Sequence, residues 1–503
     1  MHNQIVSAKT MRAMDAQTCK LHAMTGLALM ERAGRAIFSK LSTTKPWCET
    51  RPLIVCGPGN NGGDGLVVAE ALLLAGMDVS VCLVSEDQHL STENRQVYER
   101  LKDRVHRIQR SEDIEWLKQQ ISCHDWILEA LFGIGLTRPI EGVFKAVVAL
   151  LNASGKSIVS IDLPAGLHTD SGQVLGMAVN ATETWAIQAF KFGHFLADGK
   201  DYCGRLDCVD VGIVPVETPW LHQCLTEEDF LGRFPMRKQN VHKYHFGHVL
   251  VFGGDTSMMG APVLSALASM RGGAGLASIV MPEQLRSAYT FSQPEIMIKT
   301  YCFEALPETI GELDEKELSI FGPGLGKKTP AYEQVIEHIM QQPRPLIIDA
   351  DGLHYAKRWR SELLGKPYVV ITPHGGEFNR FFDLSSRQDN DVIATVETLM
   401  QDTEAILVLK GPVTLVVRSG RACWIPFGSS VLAKAGTGDV LSGLIAARAA
   451  VNTSLFDATC EAVALHAQAG KCIERRHGRE GLVASDLLAV MHTAFRSLHD
   501  GTE

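Results

Sequence analysis

The fold this sequence predicts is two α/β domains in tandem, each built on a mostly parallel sheet with helices on its faces. Three observations carry that reading. The chain has 503 residues, more than one hydrophobic core supports. Strand-sized apolar runs alternate with helical patterns in both halves. Run after run ends in a glycine-rich or polar loop, and open parallel sheets bind ligands at the carboxyl ends of their strands.

In the first half, apolar residues recur at helical spacing from about residue 7 to 41, interrupted by Gly26 and Gly34. Residues 53–56 read as a strand, 62–75 as loop and helix, and 79–84 as a second strand. Residues 126–128 and 157–161 are further strands. The alternation predicts a Rossmann-like, doubly wound sheet. Pro215 and Pro219 then break the pattern, and Thr226, with Asp229 three residues on, reads as the N-cap of a short helix. The boundary therefore falls near 215–235, with domains expected over 1–220 and 225–503. In the second half, strands at 248–252, 346–348, 368–371 and 405–409 each run into a polar or glycine-rich turn, and 261–269 reads as a helix. That arrangement places the second domain's site on one sheet edge. The loop motifs of the halves differ, so they are not a duplication.

Composition excludes several classes. Hydrophobic residues make up 46% and charged residues 21%, a soluble globular balance. A net charge of −9 offers no basic footprint for nucleic acid or an anionic membrane. No apolar stretch approaches the roughly 20 residues of a membrane span. The N-terminus, Met1-His2-Asn3-Gln4, lacks a signal-peptide pattern. The 12 cysteines form no CxxC pair, so reduced thiols and a cytoplasmic location are expected. A homo-oligomer is expected, with small molecules as partners.

The motif richest in chemistry is Lys434-Ala435-Gly436-Thr437-Gly438-Asp439, followed by a helical run from Val440. Such a loop can turn backbone N–H groups toward a phosphate at a helix N-terminus. Asp439 then stands where an acceptor hydroxyl could lose its proton. Alone, it could equally be a carboxylate complementing the helix dipole. Three other loops favour the chemical reading. Gly322-Pro323-Gly324-Leu325-Gly326 follows a short strand. Lys410-Gly411 can set an ammonium and bare backbone beside phosphates. His374 stands at a strand end beside Gly375, Gly376 and Glu377. There is no Walker loop. Asp349 and Asp351 either bind metal-bound phosphates or simply end a strand.

The Gly-x-Gly-Asp pattern, with Asp as base, resembles the ribokinase-like superfamily, which implies a ribokinase-like C-terminal domain. An ordered series narrows the match: Arg237-Lys238, Gly247 to Gly254, Gly260-Ala261, Arg271 to Leu276, Pro294 to Met297, Gly322 to Gly326, Asp349-Ala350-Asp351, Thr372 to Glu377, Lys410-Gly411 and Gly436 to Asp439. Over about residues 235–500 this resembles the ADP-dependent NAD(P)H-hydrate dehydratase family. The resemblance implies Asp439 as catalytic base. It implies a hydrate site of Ala261, Gly324, His374 and Asp439. It implies a nucleotide site of Lys410, Gly411, Pro412, Val413, Thr414 and Gly438. ADP would be the phosphoryl donor, with Mg2+ offsetting phosphate charge. Gly375 replaces a usual Pro, Tyr244 a usual Gly and Gly352 a usual Ala.

The first half carries Asn60-Asn61-Gly62-Gly63-Asp64-Gly65, which is not the dinucleotide fingerprint GxGxxG. With Leu131 to Leu136, Ile161-Asp162-Leu163-Pro164-Ala165-Gly166 and Lys191-Phe192-Gly193-His194, it resembles the NAD(P)H-hydrate epimerase family over about residues 8–215. The resemblance implies hydrate contacts from Asn60, Asn61, Gly62, Gly63, Asp64, Gly133, Ile134, Gly135, Leu136, Thr137, Arg138, Pro139 and Asp162. Asp162 and Lys191 are the acid/base candidates, by resemblance and by charge type. Asn61, Glu129 and Ala165 occupy the positions associated in the family with a bound K+. The family usually has Asp where this chain has Glu129, and Ser where it has Ala165, which offers only its backbone carbonyl.

The whole chain thus resembles a bifunctional family that repairs NADHX and NADPHX, an epimerase fused to a dehydratase. The alternative is a ribokinase-like vitamin-precursor kinase fused to a non-catalytic nucleotide-binding module.

Overall fold

The computed structural model describes residues 3–44, 50–85, 90–234, 237–289, 293–384 and 391–500. The chain divides into two compact units, Met1–Pro219 and Trp220–Glu503.

The first unit opens with helices α1 (Ala8–Leu21) and α2 (Gly26–Thr44). The single helical pattern read from sequence is broken here. Ala23 takes a left-handed φ of 49°, and Thr25 Oγ1 accepts from Ala28 N–H to start the second helix. Seven parallel strands follow: β1 (Pro52–Cys56), β2 (Ser80–Val84), β3 (Val105–Ile108), β4 (Trp126–Ala130), β5 (Ser157–Ile161), β6 (Glu183–Ile187) and β7 (Arg205–Val209). Their order is β3-β2-β1-β4-β5-β6-β7, so the chain reverses direction across the sheet between β1 and β4. Ligand crevices open at that switch point. Helix α3 (Asn60–Leu74) already begins at Asn60, so the glycine-rich hexamer is its first turns rather than a free loop. Gly62 permits this: a Cβ there would lie 1.8 Å from the Gly57 carbonyl oxygen.

The second unit holds a ten-stranded sheet: β8 (Leu221–Cys224), β9 (His248–Phe252), β10 (Leu276–Pro282), β11 (Met297–Tyr301), β12 (Glu317–Phe321), β13 (Leu346–Ile348), β14 (Val369–Ile371), β15 (Ile406–Leu409), β16 (Thr414–Arg418) and β17 (Arg421–Ile425). The order is β8-β17-β16-β15-β14-β13-β12-β9-β10-β11. From β9 through β12, β13 and β14 to β15 the neighbours are all parallel. Only β16 runs against its neighbours.

The helices of this unit that matter to the site are α4 (Gly260–Gly272), α5 (Gly375–Phe382), α6 (Thr437–Ala449), α7 (Leu455–His477) and α8 (Ala484–Asp500). Residues Val440 through Arg448 of α6 are all buried. A helix buried on every side over nine residues belongs in a core. The α4–α6 crossing is close, because Gly443 lies where a Cβ would come within 2.3 Å of the Ser265 carbonyl oxygen. The Thr226–Asp229 pair takes a different form from the expected capped α-helix. Asp229 Oδ2 accepts from Thr226 N–H (2.8 Å) and Oγ1 (2.9 Å), and the segment closes as a single 3-10 turn, Glu228–Phe230.

Candidate functional site

In the second unit, the parallel run from β9 to β15 brings five loops to one edge: 253–254, 322–326, 349–351, 372–376 and 410–411. Lys410 is held there by carboxylates. Its Nζ lies 2.7 Å from Asp349 Oδ1 and 3.8 Å from Glu377 Oε2. Thr372 Oγ1 donates to the same Asp349 oxygen at 2.7 Å. Burial works against the ammonium, but the Asp349 and Glu377 charges outweigh it and hold the Lys410 pKa above its usual value. Backbone pairing sets the position as well: Lys410 N–H donates to the Pro373 carbonyl oxygen at 2.9 Å, and His374 and Lys410 form an isolated parallel bridge.

Helix α6 meets this cluster with its N-terminus. Gly436 caps it at a left-handed φ of 89°, a backbone that glycine takes without strain. A Cβ on Gly438 would lie 3.4 Å from Lys410 Nζ, so the loop approaches the ammonium closely. Asp439, in the first turn, has its pKa pushed up to about 7. Burial is the main cause, then the Asp349 charge, with Lys410 pulling the other way and Asp351 and Glu377 adding to the rise. Ser265 Oγ donates to the Asp439 carbonyl oxygen at 2.9 Å. His466 Nε2 lies 3.0 Å from the Thr437 carbonyl oxygen, and burial pushes its pKa down to about 4, so it is neutral.

Ala261, at the start of α4, lies beside Gly324. A Cβ on Gly324 would be 3.2 Å from that of Ala261, and the Gly324 φ is 66°. His374 is exposed and caps α5: its Nδ1 accepts from Gly376 N–H, while Glu377 Oε2 accepts from His374 N–H. Gly411 and Pro412 are exposed, Val413 is buried, and Thr414 opens β16. Gly352 is tightly placed, with a Cβ position 2.3 Å from the Phe321 carbonyl oxygen. Sequence reasoning left Asp349 unassigned, gave Thr372 no role of its own and passed over His466. The acidic strand end Asp349-Ala350-Asp351 was the available signal for the first and the Thr372–Glu377 block for the second; no local pattern marks His466.

In the first unit, β1, β4 and β5 are parallel neighbours, which gathers the start of α3, the 131–139 segment and the 162–166 turn. Asp162 adopts a left-handed φ of 66°, unusual for a non-glycine residue and tolerated by Asp. Its Oδ1 accepts from Ile187 N–H at 3.0 Å and forms a buried ion pair with Lys191 Nζ. Lys191 Nζ also donates to the carbonyl oxygens of Ile187 and Ala189, each at 2.9 Å. Behind the pair, Lys191 N–H donates to His194 Nδ1, leaving Nε2–H to donate to the Asp162 carbonyl oxygen at 2.8 Å. That tautomer is neutral, and burial pushes the His194 pKa down to about 4.

Two further carboxyls face the pair. Asp64 is held well above the usual carboxylate range by burial and by the charges of Asp162 and Asp15. Asp15, on α1, is pushed up to about 6 by burial, against the pull of Lys191 and with a push from Asp162. Sequence reasoning missed Asp15, which comes from a helix far upstream. Arg12, one turn earlier, donates to the Ile134 carbonyl oxygen at 3.1 Å, which ties that helix to the 133–136 segment. Gly133 abuts Asn61, with a Cβ position 3.2 Å from the asparagine Cβ. Asn60, Gly135, Thr137, Arg138 and Pro139 are exposed, and Leu136 is buried.

Of the three residues expected around a potassium ion, Asn61 presents both amide atoms buried and without a partner. Glu129 is fully buried and pushed up to about 7 by burial, opposed by its hydrogen bonds to Ser160, Leu131 and Ala165. Ala165 turns its N–H, not its carbonyl, toward Glu129. Among the described residues, no three His, Cys, Asp or Glu side chains converge as a metal centre, and no helix is long and apolar enough to cross a membrane. No disulfide joins the described cysteines.

Two family models match the chain in succession. The one described as YjeF-related protein N-terminus covers residues 26–193, and the one described as NAD(P)H-hydrate dehydratase covers residues 249–492. Curated relatives match along nearly the full length. A bifunctional NAD(P)H-hydrate repair enzyme from Thermofilum pendens is 30% identical over 519 residues, covering 99% of this chain and 98% of the relative. The Vibrio cholerae enzyme of the same name is 33% identical over 469 residues, covering 92% of each. Among solved structures, an ADP/ATP-dependent NAD(P)H-hydrate dehydratase from Bacillus subtilis, co-crystallised with ATP and Mg2+, is 26% identical with a TM-score of 0.46, over 54% of this chain and 97% of that one. A ribokinase-like superfamily protein from Enterococcus faecalis is 24% identical with a TM-score of 0.48, over 55% and 96%.

Proposed function

The chain belongs to the bifunctional NAD(P)H-hydrate repair enzymes, and from that premise we propose which of its residues carry each reaction. The N-terminal half epimerises the R and S hydrates of NADH and NADPH; the C-terminal half dehydrates the S form at the expense of ADP.

In the dehydratase site, the hydrate hydroxyl is a poor leaving group. Asp439 takes its proton as the oxygen attacks the β-phosphorus of ADP. The bond from that phosphorus to the bridging oxygen breaks, and AMP departs. A base with a pKa of about 7 is half ionised at neutral pH, where proton transfer is most effective. The backbone N–H groups of residues 436–438 face the transferring phosphoryl group, and Lys410, fixed by Asp349 and Thr372, balances its charge. The ring nitrogen then pushes out phosphate. The neighbouring ring carbon loses a proton, which restores the dihydronicotinamide. Ala261, Gly324 and His374 line the hydrate side, and residues 410–414 hold the nucleotide. Mg2+, when bound, offsets phosphate charge. Since no three carboxylates converge on one position among the described residues, the ion would take its oxygens mainly from the phosphates and water.

In the epimerase site, inversion at the hydrated ring carbon passes through an opened ring or an iminium, and both need proton transfers. Asp162 and Lys191 supply them, while Asn61, Asp64 and the 133–139 segment hold the dinucleotide. Burial raises Asp64 well above the usual carboxylate range, which disfavours a second negative charge beside Asp162.

The observation that carries the reading is Asp439, at the mouth of α6, facing Lys410. The experiment mixes S hydrate, ADP and Mg2+ and follows recovery of the dihydronicotinamide absorbance together with AMP and phosphate release. Asp439→Ala should lose the reaction, and an unchanged rate would remove the base assignment. A phosphorylated product that persists would favour the kinase alternative.

A further inference from the structure

Glu129 and Ala165 are the two positions where this chain departs from the residues that accompany potassium in the epimerase family, and the structure shows them in direct contact. Ala165 N–H donates to Glu129 Oε2 at 3.2 Å. The same oxygen accepts from Ser160 Oγ at 2.6 Å, and Oε1 accepts from Leu131 N–H at 2.7 Å. The carbonyl of Ala165, the one oxygen it could offer a cation, accepts from Val179 N–H at 2.8 Å. Of the three expected ligands, only Asn61 keeps an unpartnered oxygen. Potassium is held where several oxygens together replace its hydration shell, and a single amide does not do that. The donor set therefore does not fit the ion.

The two departures complement each other. Glu reaches about 1.5 Å further than Asp, and Ala at 165 removes a hydroxyl from the place it reaches toward. Glu129 lies one residue before the end of β4, Ser160 lies in β5, Leu131 begins the segment that carries Gly133, and Ala165 lies three residues beyond Asp162. One side chain thus ties both substrate-facing segments to the sheet.

Resting on the epimerase reading of this half, we propose that it works without a bound alkali cation, because hydrogen bonds from Ser160, Leu131 and Ala165 to Glu129 join the segments that a cation would otherwise bridge. Glu129 is then a positioning residue.

The test uses the full chain exchanged into KCl or into choline chloride at equal ionic strength, with R-to-S conversion measured by chromatography. Melting temperature is recorded in both salts, and crystals soaked in rubidium chloride are mapped by anomalous scattering. The expected results are equal conversion rates, no potassium-specific rise in melting temperature and no rubidium peak beside Asn61 Oδ1. The paired variant Glu129→Asp with Ala165→Ser should acquire a rubidium peak and lose about tenfold or more of its rate in choline chloride. A wild-type rubidium peak at Asn61, or a comparable wild-type loss in choline chloride, overturns the proposal. If the paired variant does not fold, the wild-type salt comparison and rubidium map decide. Absence of conversion in both salts would instead overturn the epimerase reading, and the rubidium map would still answer the cation question.

Discussion

Lys410 Nζ lies 2.7 Å from Asp349 Oδ1, and this pair, drawn from the ends of two non-adjacent strands of one sheet, forms the floor of the dehydratase site. Asp349 is nearly fully buried, and Thr372 occupies the same carboxylate oxygen. Removing one member leaves the other charged and unbalanced. Asp349→Asn should cost about 3 kcal/mol of stability, read by urea unfolding, and should raise the KM for ADP because Lys410 is no longer aimed.

The pH dependence of dehydration follows from Asp439. Its pKa is about 7, so the base form grows as pH rises through 7. The rate should increase from pH 6 to pH 8 and then level. In Asp349→Asn the largest repelling charge is gone and Lys410 pulls more strongly, so the same limb should move to lower pH. A limb that stays in place would show that Asp439 does not sense Asp349.

The same residue should cost stability. A carboxyl whose folded pKa is raised contributes stability that is full below its unfolded pKa and lost as pH rises through the folded value. Asp439→Asn should therefore be more stable than wild type at pH 8, by on the order of 2 kcal/mol, and close to it near pH 3. Thermal unfolding at the two pH values measures this.

Separate loss of the two activities tests the division of labour. Asp162→Asn suits the left-handed backbone at that position, since Asn tolerates it, but it breaks the buried pair with Lys191. Conversion of R hydrate should fall about 100-fold or more, while dehydration of supplied S hydrate stays at the wild-type rate. Equal loss of both would point to misfolding rather than chemistry.

Gly375 offers a stabilising change. It is the first residue of α5, open space lies where its Cβ would be, and His374 before it is extended at φ −82° and ψ 169°. That is the backbone a following proline demands, and proline is favoured at the first helical position. Gly375→Pro should stabilise the chain by roughly 0.4–1 kcal/mol, measured as a shift in urea midpoint. Destabilisation would mean that the Gly375 N–H is used.

Much of the fold was legible because interior parallel strands are buried on both faces and so read as continuous apolar runs. Residues 53–56, 248–252 and 346–348 are of that kind. Edge strands were not. Val105-His106-Arg107-Ile108 sets two polar, half-buried residues between buried apolar ends, and Arg205–Val209 mixes Arg and Asp with Leu, Cys and Val. The continuous helical pattern at the N-terminus hid a break, since nothing in the composition of His22-Ala23-Met24 announces a left-handed Ala23.

The loops were visible for a related reason. Glycine and charged residues at strand ends stand out against apolar strands, so Asp439, Lys410, Asp162 and Lys191 could be named one by one. Their relations could not. That Asp349 pairs with Lys410, that Asp15 joins Asp64 around Asp162 and Lys191, and that Glu129 reaches Ala165 all depend on strand order. The sheet brings together residues tens or hundreds of positions apart, and strand pairing rests on packing across the whole core rather than on any local pattern. Sequence alone determined two α/β domains and the chemical groups at their loops. Tertiary structure decided which groups share a site and a charge balance, because burial and proximity, which set both, exist only once the chain has closed on itself.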